Sequence, residues 1–177
     1  MSGDAHPPTA DVQGRWFDDL ALGDHFTSAI TVTETHLVTG AGLIGDYNPL
    51  HVDETFARAS RYGARILHGV LTGALMGGPI GMIFHGTAIA YLEHATRFLA
   101  PVHIGDTLTT AWTVAELVPK PKHGAGIVAM SASARNQHGV VVAEGNGKVM
   151  VRARQPDSIA GMPANALAHS PTSRGPR

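Results

Sequence analysis

The sequence predicts an α+β fold in which a curved antiparallel sheet wraps around one long, buried central helix. Two observations carry that expectation. One apolar stretch, residues 66–84, is long enough for a buried helix and is punctuated by Gly69, Gly73, Gly77, Gly78 and Gly81. Beyond Gly86, four segments of strand-like alternation succeed one another with short turns between them. Strands and helices do not alternate along the chain, which disfavours a doubly wound parallel sheet.

Taken in order, residues 1–14 and 154–177 are rich in Pro, Ser, Gly, Ala and Asn without hydrophobic periodicity, and are expected as flexible tails around one domain at 15–153. Trp16, Phe17, Leu20 and Leu22 lead to a Gly23-Asp24 turn, and residues 25–32 read as a first strand. Thr33-Glu34-Thr35-His36 is a helix start, and residues 36–43 supply an apolar face that Gly45 stops. Asp53 can cap a short helix at 54–60, which Gly63 ends. Arg58, Arg61 and Arg65 fall close together here; they can meet a phosphate-bearing ligand, although a solvated face is the commoner meaning of such spacing.

The apolar stretch approaches the length of a membrane span, but its glycines, Pro79 and the lack of basic anchors favour a helix in a protein core. Each internal glycine costs about 1 kcal/mol of helix propensity relative to alanine. So many of them imply that a strand, a second subunit or a ligand comes close to the helix backbone. The expected strands of the sheet are 88–99, 108–118, 126–136 and 140–151, divided by turns at 101–106, 119–124 and 136–139.

At 177 residues and 44% hydrophobic, the chain suits a single domain with one core. Its 13 basic and 14 acidic residues nearly cancel, and no Lys/Arg cluster is interleaved with aromatics, which argues against a nucleic-acid partner. Cysteine is absent, which removes disulfides, thiolate nucleophiles and cysteine-based zinc sites. The start is polar and proline-bearing rather than basic then apolar, so it does not read as a signal peptide; the expectation is a cytoplasmic protein with no membrane partner.

The chemistry concentrates in Gly45-Asp46-Tyr47-Asn48-Pro49-Leu50-His51-Val52-Asp53, a segment whose Asn and Pro favour an irregular backbone. A turning loop can bring the Asp46 carboxylate and the His51 imidazole to one side, where they can share a water as a general acid/base pair. Asn48 can fix the turn or hold a reacting group. The same residues equally fit a plain turn with capping side chains. A metal held by Asp46, His51 and Asp53 has less support, because no histidine pair stands at ligand spacing nearby. His68-Gly69 opens the long helix, where unpaired backbone N–H groups can receive a developing oxyanion and glycine permits close approach. Gly69 can equally serve helix packing alone.

Together with Arg65-Ile66-Leu67-His68-Gly69 and Phe98-Leu99-Ala100-Pro101-Val102-His103-Ile104-Gly105-Asp106, this loop resembles the MaoC-like family of R-specific enoyl-CoA hydratases and 3-hydroxyacyl-CoA dehydratases. The resemblance spans residues 16–152. It implies the hot-dog fold, a homodimer, an acyl-CoA or acyl-carrier-protein thioester as substrate, and neither cofactor nor metal. It implies Asp46 and His51 as the catalytic pair that adds water to a trans-2-enoyl thioester, with Asn48, His68, Gly69, Gly77 and Arg65 as substrate-binding residues. One departure stands out: several members carry a serine in the central helix where this chain has Gly77, which suggests extra room for a branched or bulky acyl group. A hot-dog thioesterase and a non-catalytic acyl-thioester binding subunit are the competing expectations.

Overall fold

The computed structural model describes residues 14–159. A short 3-10 turn at Phe17–Asp19 leads into strand β1, His25–Thr31, and then helices α1, Glu34–Ile44, α2, Pro49–Val52, and α3, Glu54–Ala59. The long helix α4, Gly69–Ile83, is followed by strands β2, Ala88–Phe98, β3, Thr107–Lys120, β4, Ala125–Arg135, and β5, Val141–Arg152.

All five strands form one antiparallel sheet in the order β1-β3-β4-β5-β2. The expected antiparallel sheet and central helix are therefore present, but the expectation of a simple succession of strands needs correction. Only β3, β4 and β5 form a meander, turned at Gly124 (φ 56°) and Gly139 (φ 78°), where glycine adopts the left-handed backbone without a Cβ clash. β2 pairs with β5 at the far edge, and the chain then crosses to reach β3. Hydrogen bonds track that crossing: Leu99 N–H donates to the Val142 carbonyl at 2.8 Å, Leu67 N–H to Val102 at 2.7 Å, and Gly105 N–H to Val32 at 2.8 Å.

Helix α4 lies against the sheet through Thr72, Met76 and Ile80, which are buried. The buried indole of Trp112, on β3, donates from Nε1 to the Met76 carbonyl at 2.8 Å, so its one polar atom is satisfied inside the core. Burial of Met76 and of Ile80 contributes about 1.5–3 kcal/mol each. Val70 and Met82, on other sides of the helix, are exposed.

The glycines of α4 have a definite neighbour. A Cβ at Gly69 would lie 3.1 Å from the Phe98 ring, one at Gly73 3.2 Å from Thr96 Oγ1, and one at Gly77 3.1 Å from the His94 ring. Glycine at every fourth position thus lets α4 close onto β2. A strand is thus one of the neighbours that account for these glycines.

Residues 154–159, expected as the start of a tail, are instead tied to the domain. The N–H groups of Arg154 and Gln155 donate to the Asp18 carboxylate at 2.8 and 3.0 Å, and Ile159, in a 3-10 turn at Pro156–Ile159, is fully buried. Gly14, the last residue of the other expected tail, donates from its N–H to the His85 carbonyl at 2.8 Å, and residues 1–13 and 160–177 lie outside the described residues. Among the described residues no helix is long and apolar enough to cross a membrane.

Candidate active site

Gly45, with φ 74°, ends α1 in the left-handed conformation and turns the chain into the Asp46 loop. Asp46 Oδ1 accepts from the N–H of Asn48 at 3.1 Å, and Asn48 Oδ1 accepts from Leu50 N–H at 3.0 Å. Asn48 is the N-cap and Pro49 the first residue of α2, the single helical turn that carries His51. Asn and Pro predict an irregular backbone here, and the helical turn is a correction to that expectation; proline at the first helical position and an Asn cap are the signals that mark it.

His51 is mostly buried, with a side chain 12% exposed, whereas the Asp46 side chain is 48% exposed. His51 Nδ1 lies 2.7 Å from the carbonyl oxygen of Ile66. A carbonyl only accepts, so Nδ1 carries the proton and Nε2 is left bare in the neutral ring. That bare nitrogen faces Asp46 Oδ2 at 3.8 Å. The gap is too long for a direct hydrogen bond and suits a water or hydroxyl shared by both groups. Asp53 takes no part: its Oδ1 accepts from Phe56 N–H at 3.0 Å and caps α3.

His68, the residue before α4, is 1% exposed. Its ring stacks on that of His51 with centroids 3.8 Å apart, and its Nε2–H donates to the backbone carbonyl of Asp46 at 2.9 Å. Asp46, His51 and His68 bring one ligand-capable atom each to within 4.8 Å of one another. An ion shared by two stacked imidazoles would lie well out of at least one ring plane, where no lone pair points, so the geometry does not suit a metal centre.

Gly69 begins α4 beside these rings, and a cavity of about 270 Å³ is lined by Gly69, Ile66, Thr72, Phe98 and Arg61. The N–H groups of Gly69 and Val70, at the start of the helix, lack intrahelical acceptors and aim toward this end of it, whereas that of Leu71 donates to the His68 carbonyl at 3.1 Å. Gly69 also meets the packing need against Phe98, since a Cβ there would lie 3.1 Å from that ring.

Two expected substrate-binding residues stand differently. Arg65 donates from Nη1 and Nη2 to both carboxylate oxygens of Glu34 at 2.8 Å each, and from Nε to Glu54 at 2.9 Å. These bonds hold its guanidinium protonated even more firmly than usual, and they commit it to joining α1 and α3 rather than to a ligand. Arg58 also pairs with Glu54, at 2.8 Å, whereas Arg61, bonded to the Tyr62 hydroxyl at 2.8 Å, lines the cavity. At Gly77 the direction a side chain would take is occupied, since a Cβ there would meet His94 at 3.1 Å and the Tyr91 hydroxyl at 3.2 Å, while an open groove of about 320 Å³ lined by Gly73, Gly77, Tyr91 and His94 runs alongside. A register shift between Tyr91 and Glu93 brings Tyr91 onto His94, whose Nδ1 meets the Tyr91 hydroxyl while its Nε2 meets Thr96 Oγ1 at 2.8 Å.

Sequence reasoning missed Ile66, which acts through its carbonyl, and the Tyr91–His94 pair. Side-chain identity carries no signal for the first. Strict alternation puts residues three apart on opposite faces of a strand, which hides the second.

Comparison with known proteins agrees with this architecture. Residues 21–136 match the family described as MaoC like domain. An (R)-specific enoyl-CoA hydratase of Rhodospirillum rubrum is 35% identical over 139 residues, covering 78% of this chain and 93% of that protein. The unliganded R-hydratase PhaJ1 of Pseudomonas aeruginosa superposes with a TM-score of 0.73 at 30% identity, covering 90% of this chain and 96% of that one. A Mycobacterium tuberculosis protein with a double hotdog fold, at 22% identity and a TM-score of 0.72 over 90% of this chain, shares the fold. With its sheet packed on a central helix and its match across most of the domain, the chain is a hot-dog protein and belongs to the MaoC-like family.

Proposed function

We propose that the protein adds water to the double bond of trans-2-enoyl-CoA thioesters to give (R)-3-hydroxyacyl-CoA, and catalyses the reverse dehydration. The observation that carries this reading is the opposition of Asp46 Oδ2 and His51 Nε2 across 3.8 Å, with the other nitrogen of His51 anchored on a carbonyl. The likeness to a protein named as an (R)-specific enoyl-CoA hydratase supports the substrate class and the stereochemistry.

A water in that gap donates one hydrogen to the Asp46 carboxylate, which orients it, and the other to His51 Nε2. As the oxygen bonds to the β-carbon, His51 Nε2 takes the proton and the π electrons move through the α-carbon onto the thioester oxygen. The Gly69 N–H donates to that oxygen, and one such fixed donor contributes about 3–4 kcal/mol in comparable sites. The His51 proton then passes to the α-carbon, so that H and OH have been added and the imidazole is neutral again. Asn48 holds the loop, and His68 and Gly69 border the bound thioester. The test is the loss of enoyl absorbance without release of free thiol; thiol release would mark a thioesterase instead.

The reading extends to a homodimer. β2 is an edge strand of the sheet, and Ile89, Leu92 and Phe98 on it are exposed. An unpaired edge with apolar side chains is a template for a second strand, and a second copy of β2 supports the pairing best.

A further inference from the structure

We infer that His68 is a positioning residue that holds the three working parts of this site in register; the inference rests on the hydratase reading. The first part is Asp46. The Nε2–H of His68 donates to the backbone carbonyl of Asp46 at 2.9 Å, which pins the peptide from which the carboxylate projects. The second is His51, whose ring lies stacked on His68 at 3.8 Å between centroids with 29° between the planes. The third is the Gly69 N–H, which belongs to the peptide bond of His68 itself.

That peptide is fixed in direction. The His68 carbonyl accepts from the N–H of Thr72 at 3.0 Å and from the Thr72 hydroxyl at 3.3 Å, so it points along α4. Across a trans peptide the N–H points the opposite way, out of the helix start. One residue therefore sets the water-orienting carboxylate, the base and the oxyanion donor at once.

A purely structural account does not explain the chemistry of this side chain. Because the Asp46 carbonyl fixes the proton on Nε2, Nδ1 is a bare acceptor, and it is buried without a partner. A phenylalanine or leucine would fill the same space without that unpaired atom. An imidazole supplies the N–H and the flat ring together.

The test combines tautomer assignment with steady-state kinetics. In the wild-type protein, long-range 1H–15N correlation spectra should show His68 as the Nε2–H tautomer and His51 as the Nδ1–H tautomer; the reverse assignment at His68 overturns the proposal whatever the activity. His68→Phe keeps a ring for stacking but loses the donor, and should lower kcat by about 100-fold with KM changed by less than about threefold. His68→Gln places an amide N–H near the position of Nε2 and should recover about tenfold of that loss. Unchanged kcat in both folded variants, or no recovery in His68→Gln, overturns the positioning role. An inactive wild type with the expected tautomers would instead overturn the hydratase reading, and the role built on it, while leaving the geometry intact.

Discussion

The imidazole of His51 is bound through Nδ1 to the carbonyl oxygen of Ile66 at 2.7 Å, so its protonated nitrogen faces the protein and its bare nitrogen faces Asp46. The carbonyl of Ile66, three residues ahead of the long helix, thereby chooses the tautomer of His51. His51→Asn tests this division of labour, because the asparagine amide reaches the Nδ1 position but has nothing at Nε2. It should keep the melting temperature within a few degrees while lowering kcat by about 10²–10⁴-fold. Turnover within tenfold of wild type would show that Nε2 is not the base.

Arg65 is a brace between α1 and α3, not a phosphate ligand. Arg65→Ala should leave KM for crotonyl-CoA within about twofold and lower Tm by roughly 2–4 °C. The bond from Arg65, and then that from Arg58, hold the Glu54 carboxyl below its ordinary value of 4.5. A carboxyl depressed in the folded state stabilises fully above its unfolded pKa and loses that contribution as pH falls through the folded one. The stability difference between wild type and Glu54→Gln, read by urea titration, should therefore be constant from neutral pH down to about pH 5 and shrink below it.

Gly77 is a packing glycine. Alanine there gains about 1 kcal/mol of helix propensity, but its Cβ meets His94 at 3.1 Å and the Tyr91 hydroxyl at 3.2 Å. Gly77→Ala should lower Tm in the wild-type background and raise it in the His94→Ala background. The same sign in both would show that His94 does not set the constraint. Gly77→Leu should reduce stability and act on all acyl lengths alike, rather than selecting against the longer ones.

The dimer reading predicts that a charge on the β2 edge separates the subunits. Leu92 is 49% exposed in the single chain, and Leu92→Arg should shift the sedimenting species from dimer to monomer. A wild-type monomer at micromolar concentration would contradict the reading.

Much of this molecule was legible in its residues. Alternation in 108–118 and 126–136 marked the strands, and Leu108, Trp112 and Val114 do face the core. Glycines in the apolar stretch announced a close neighbour and Asp53 announced a cap, and both are found. What escaped depends on the third dimension. The crossing of 99–106 that sends β2 to the far edge is held by backbone bonds, which any side chain can accompany. The commitment of Arg65 follows from Glu34, 31 positions away, and the filling of the space over Gly77 follows from a bulge that ordinary strand periodicity conceals.

The central claim is that Asp46 and His51 share the water that adds to the double bond. Its most direct measurement is the ultraviolet absorbance of crotonyl-CoA with wild type and Asp46→Asn, with free thiol followed in parallel. The account predicts that wild type bleaches the enoyl band without releasing thiol, and that Asp46→Asn, equally folded, loses about 10²–10⁴-fold in kcat. Thiol release by wild type, or an Asp46→Asn protein that turns over within tenfold of it, would contradict the account.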